Sequence, residues 1–300
     1  MKILENHSNV EKSLCPFLRD LVSAIISKFG NEIVSVVLFG SATTKEWVRG
    51  KSDIDLIVVV KHHNQRKTIE NYMGKVFVRL DAKYGLQLVQ TCTTYAKDAN
   101  PIVNFLYRVE DSLVFGRPFY VLSMDQIDIE KGIITDVRIR FITSIFDSQS
   151  IFLAKIKQTG VVIYGRDLPS EIKLLPSALD KIRTALAPLW LIIMSLMSFP
   201  IDKLFSLNHS IKATIWACED VLFTLNGPLS TTTEELDTLE KLVSKYRKMD
   251  FSHAKESITL KQKVIRKSDL NGGQVGKFVL HTVLFILTLY YNASHIAHAS

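Results

Sequence analysis

Two carboxylates stand two residues apart, Asp53 and Asp55, and a Gly40-Ser41 pair precedes them across a short polar connection. Asp55 leads into Leu56-Ile57-Val58-Val59-Val60, an almost unbroken apolar run that reads as a strand buried on both faces. Side chains alternate along a strand, so Asp53 and Asp55 point to the same side. Carboxylates converging on one spot repel each other. A cation that takes hard oxygen ligands, Mg²⁺ or Mn²⁺, relieves the repulsion and keeps positions open for phosphate. Gly40 follows a second apolar run, 33–39, and lets the backbone approach a phosphate closely, while Ser41 adds a hydroxyl and an N–H donor. Lys45, Arg49 and Lys51 lie between the two runs and would counter the charge of a triphosphate.

The elements that must hold these residues alternate helix and strand. Leu14, Phe17, Leu18, Leu21, Val22, Ile25, Ile26 and Phe29 follow helical spacing, so 13–29 is an amphipathic helix ended by Gly30-Asn31. Strands are expected at 33–39 and 54–60, and a helix at 67–83 broken by Gly85. A third strand is expected at 86–93 and a fourth at 113–115. The chain changes character near residue 125. Beyond it, helices are expected at 135–158 with a break near 147–148, and at 178–198, 210–225, 233–248 and 274–296, with a short strand near 161–164. The reading is α+β: a mixed-sheet domain over 1–125 and an α-helical bundle over 126–300.

This layout resembles the nucleotidyltransferase superfamily of DNA polymerase β-like folds. The resemblance rests on Gly40, Ser41, Asp53 and Asp55, and is nearest to the minimal and kanamycin nucleotidyltransferase-like branches, which often append helices. It implies metal-dependent transfer of a nucleotidyl group. Gly40 and Ser41 would hold the β- and γ-phosphates, and Asp53 and Asp55 would coordinate Mg²⁺. The implied partners are an NTP, ATP first, and a hydroxyl acceptor on a small molecule, a protein or an RNA end. A homodimer is left open. The family usually supplies a third carboxylate from the next strand, where Gln87 is expected here. Glu219 and Asp220 are alternative bases, set against a plain reading as solvent-face polar residues. An active enzyme and a catalytically weak nucleotide-binding or antitoxin-like module therefore both stand. A third reading is a scaffold that binds RNA or a membrane surface.

Composition narrows the field. The chain has 300 residues, 47% of them hydrophobic and 22% charged, which is the make-up of a folded protein. Three scattered cysteines without a Cys-x-x-Cys pair exclude a disulfide scaffold and a zinc ribbon, and point to a reducing cytoplasm. Two uncharged stretches are expected as buried bundle helices rather than membrane spans: 184–201 carries Pro188 and Pro200, and 278–292 is short. His281 is expected in that core. His62-His63 and the His295/His298 pair read as solvated positions rather than metal ligands, and no Arg-to-His spacing of a ribonuclease is present. The net charge of +7 is local: 241–267 holds nine basic and two acidic residues, and the rest is neutral. That segment is either a solvated face or a means of steering an anion.

Overall fold

The computed structural model describes residues 10–44, 46–50, 52–88, 101, 119–137, 139–140, 143, 148–174, 176–225, 232–245, 248–263, 265 and 267–299. Two compact units emerge. The first spans 1–98, 106–142 and 152–175; the second holds 99–105, 143–151 and 176–300.

A four-stranded mixed sheet organises the first unit, in the order β3-β2-β1-β6. These are β1 (Ile33–Phe39), β2 (Asp55–Val60), β3 (Phe119–Ser123) and β6 (Val161–Gly165). A two-residue ladder, β4 (Ile127–Asp128) with β5 (Ile133–Ile134), stands apart. β1 is antiparallel to both β2 and β6, and β2 is parallel to β3. The expected boundary at 125/126 is displaced by β6. Its pairing to β1 draws residues up to 175 into the first unit. Local sequence cannot announce that, because β6 closes a sheet edge more than a hundred residues away.

Both faces of the sheet are covered, as the apolar run in β2 requires. On one face Val36, Leu38, Leu56 and Val58 pack with helices α1 (Cys15–Phe29) and α2 (Arg66–Tyr84), through Phe17, Leu21, Met73 and Phe77. On the other, Val37, Phe39, Ile57 and Val59 meet Leu153 and Ile156 of α3 (Gln149–Thr159) and Leu168 of the short α4 (Leu168–Glu171). Each such buried side chain contributes about 1.5–3 kcal/mol relative to exposure.

The third expected strand does not form in its described part. Gly85 caps α2 in the left-handed conformation, Gln87 also has positive φ (62°), and Leu88 N donates to Asp81 Oδ1 at 2.9 Å. A backbone turned this way cannot extend into a ladder. Residues 89–93 and the expected fourth strand at 113–115 lie outside the described residues.

The second unit is helical: α5 (Ala178–Thr184), α6 (Leu186–Ser198), α7 (Lys203–Thr224), α8 (Thr232–Ser244), α9 (Ser252–Gln262) and α10 (Gly272–Ala299). The fold class is α+β, as expected. The helix anticipated over 178–198 breaks at Ala185, because Pro188 has no N–H for the Thr184 carbonyl. α7 is the central helix, started by Asp202 Oδ1, which accepts from the N–H groups of Leu204 and Phe205. Within the basic segment, Lys255 pairs with Glu240 at 2.7 Å and Lys267 with Asp202 at 3.0 Å. The two uncharged stretches are buried on one side only. His281 is exposed, not in the core, since it falls on the outer side of α10.

The core histidine is His253 instead. Thr282 Oγ1 donates to Phe278 O and so accepts from His253 Nε2 at 2.9 Å. Its Nδ1 is buried without a partner, beside the Phe278 and Phe285 rings and near His281. Protonation would place an unpaired charged donor there. Burial, followed by the His281 charge, lowers its pKa from 6.5 to about 4. The unfolded chain therefore takes up a proton between those values that the folded chain refuses. Stability should fall by about 1–2 kcal/mol as pH drops from 6.5 to 4. Thermal melts of His253→Phe over the same range should show that much less pH dependence than wild type.

Candidate active site

The site is built where β1 ends and β2 begins. Register places Phe39 opposite Asp55 and Leu38 opposite Leu56. The chain leaving β1 therefore passes over the Asp55 carboxylate. It does so at Gly40, with φ of +73°, and a Cβ at that position would collide with Asp55 Oδ2. Two independent constraints thus select glycine: the left-handed backbone and the contact with a carboxylate. A 3-10 turn, Gly40–Thr43, follows, closed by Thr43 Oγ1 donating to Gly40 O at 2.9 Å. The connection then tightens again. Ser52 N donates to Val48 O (2.8 Å) and Ser52 Oγ accepts from Val48 N (3.0 Å), around Gly50 at φ +71°. Asp53 follows directly, so its position is set by this turn.

Asp55 shares the sheet face of Ile57 and Val59, the face covered by α3. Ile54 is buried, Asp55 half-buried and Asp53 exposed at the mouth. Burial, then the charge of Asp53, raises the Asp55 carboxyl well above its usual range, opposed by Lys155 on α3. The Asp53 charge is thus felt at Asp55. One turn beyond Lys155 on the same helix, Thr159 Oγ1 accepts from Gly40 N at 3.4 Å and donates to Lys155 O at 2.8 Å. α3 thus delivers a cation to the carboxylates and a hydroxyl to the glycine. Sequence reasoning missed both. A lysine and a threonine at helical spacing are common, and only the packing of α3 on this face makes them part of the site.

The remaining expected residues divide. Ser41 is half-buried beside Gly40, and among the described residues its hydroxyl has no partner. Lys45 and Lys51 lie outside the described residues. Arg49 is committed elsewhere: Nε donates to Gly85 O, and Nη2 to Tyr84 O and Gly85 O, at 2.9–3.2 Å. It satisfies carbonyls at the C-terminus of α2, where a cation also suits the helix dipole. Gln87 is not at a third-carboxylate position on a strand. It sits in the turn after α2 with its side chain against Gly50, where an added Cβ would lie 2.7 Å from Gln87 Oε1. Glu219 and Asp220 belong to the second unit. Asp220 is buried and accepts from Tyr290 Oη at 3.4 Å, so the expected solvent face does not hold for it. His62 pairs with Glu32 at 2.8 Å, and His63 bonds Ser123 Oγ at 3.2 Å. Among the described residues no third His, Cys, Asp or Glu joins the pair to form a metal cluster.

Residues 18–116, which include Gly40, Ser41, Asp53 and Asp55, match the family of nucleotidyltransferase domains. This stretch is a nucleotidyltransferase domain. No curated protein matches the chain. Among solved structures, the nucleotidyltransferase domain and the helices after it are similar to spectinomycin adenyltransferase AAD(9) from Enterococcus faecialis, solved with ATP and spectinomycin. The identity is 11% and the TM-score 0.47, over 93% of this chain and 97% of that one, a likeness too low to place any single residue.

Two substitutions separate the roles of neighbouring residues in the nucleotidyltransferase domain. Gly40→Ala forces a left-handed alanine, costing about 1–2 kcal/mol, and pushes on Asp55. It should lower the melting temperature and weaken Mn²⁺ binding, read by titration calorimetry. Arg49→Ala should cost about 1 kcal/mol of stability, the net worth of its helix-end hydrogen bonds, and leave Mn²⁺ affinity unchanged.

Proposed function

We propose that the chain transfers an NMP group from an NTP to a hydroxyl acceptor, with Mg²⁺ or Mn²⁺ as cofactor and pyrophosphate as the second product. The observation that carries this reading is the contact of the Gly40 backbone with the Asp55 carboxylate, with Asp53 and Lys155 beside it. Phosphate-binding backbone and cation-binding carboxylates then share one spot, as transfer at a phosphorus atom requires.

The residues present suit a divalent cation. Two hard carboxylate ligands interact, and the repulsion that raises Asp55 is of the kind a metal removes. Asp53 and Asp55 would hold the ion, which when bound neutralises phosphate charge and activates the α-phosphate toward attack. The chain's own groups do the rest. The Gly40 turn and the Ser41 hydroxyl bind the outer phosphates, and Lys155 neutralises a phosphate oxygen close to Asp55. Ile57, Val59 and Phe39 back the carboxylates with apolar packing, which strengthens each of these charge interactions.

A second reading, nucleotide binding with weak catalysis, is favoured by one observation: among the described residues no third carboxylate groups with Asp53 and Asp55. One assay separates the readings. Incubation with each labelled NTP, Mg²⁺ and a panel of hydroxyl acceptors should release pyrophosphate and label an acceptor. Bound nucleotide without release would favour the second reading. Asp55→Asn should reduce release by about 10²-fold or more, the scale of losing one preorganised charged group. Lys155→Met should weaken NTP use about 10–100-fold, the worth of one charge-assisted hydrogen bond.

A further inference from the structure

The second unit turns an apolar surface outward on neighbouring helices. α6 and α10 both pack on α7 and touch one another. Their inner faces carry polar groups with partners: Ser195 bonds Ser206 and Ser210, and Thr282 bonds His253. Their outer faces do not follow that pattern. Leu179, Ile182, Leu186, Leu189, Ile193 and Leu196 are all exposed, along α5 and α6. On α10 the exposed apolar residues are Leu280, Leu284, Leu287 and Tyr291. Residues 184–201 and 278–300 contain no Asp, Glu, Lys or Arg.

On α6 Trp190 and Met197 are exposed as well, so the apolar face there is broad. On α10 the exposed residues recur in alternating steps of three and four, the 3.5-residue repeat with which one helix keeps a stripe aligned to another. The stripe on α10 is narrow, flanked by exposed Lys277, His281, Thr288 and His295. We propose that this face is where a second copy of the chain docks, α5–α6 and α10 of each protomer forming a two-fold helical interface. The extent of the surface fits. The ten side chains are each about half exposed, Ile193 at 47% and Leu284 at 54%. Together with Trp190 and Met197 they present roughly several hundred Å², comparable with the ~800 Å² per partner in a stable interface. A two-fold interface is self-complementary, so one apolar patch serves both sides.

The competing occupant is a lipid bilayer, since 179–198 and 272–296 are long and apolar enough to span one by length and composition. A bilayer makes no use of a 3.5-residue repeat and does not solvate the polar flanks of α10. Sedimentation velocity over a dilution series decides the matter. The full chain should sediment as a dimer at micromolar concentration. Leu284→Glu and Ile193→Glu should each raise the dimer dissociation constant about 100-fold or more, with helicity by circular dichroism unchanged, because the symmetry buries two unpaired charges. If either variant aggregates, the milder Leu284→Ser with Ile193→Ser replaces it, with the same expected direction. A monomeric wild type, variants that dimerise as wild type does, or co-flotation of wild type with phosphatidylcholine vesicles would each overturn the proposal.

Discussion

The antiparallel register of β1 and β2 sets Phe39 across from Asp55, and everything chemical about the first unit follows from that pairing. Once the strands are aligned, the chain leaving β1 has to cross a carboxylate at contact distance. Only a residue without a Cβ can make the crossing, and only a left-handed backbone turns it into the 3-10 segment beyond. A register shift of one residue would turn Asp55 toward α1 and α2, into a wholly apolar layer. The hydrophobic pattern of β2 therefore protects the site. Ile57 and Val59 must face α3, and Asp55 is carried to the same face by alternation alone.

That placement is costly for a carboxylate, and the surroundings define its use. Asp55 is desolvated by its neighbours and repelled by Asp53, with Lys155 as the opposing charge. Structural carboxylates in this protein have a different environment. Asp136 accepts from Arg66 at 2.6 Å, and Asp202 caps α7 and pairs with Lys267. Those groups are neutralised where they stand. At the mouth of β2 the balance is different: burial and the Asp53 charge both disfavour the charged form of Asp55, and Lys155 opposes them.

Much of this was legible in the chain. The Gly-Ser pair, the carboxylate spacing and the apolar run of β2 each constrain the backbone over a few residues, and local constraint is what a sequence displays. Gln87 shows the opposite case. Leu86-Gln87-Leu88 alternates as a strand should, but the left-handed cap at Gly85 and the bond from Leu88 N to Asp81 redirect it into a turn. Arg49 likewise sits amid the site in sequence, and its fork is occupied by carbonyls at the end of α2, about thirty-five residues away.

Neighbours within one or two turns of chain settle the helix and strand periods of most elements, the glycine turn, and the placing of Asp55 at the head of an apolar strand. The tertiary structure alone decided that β6 returns to the first sheet, that α3 brings Lys155 and Thr159 to the carboxylates, and that His253 rather than His281 is the buried histidine. It also decided that two uncharged helices are buried on one face and exposed on the other. Each of these rests on contacts between residues far apart in the chain, whose partners no local spacing specifies.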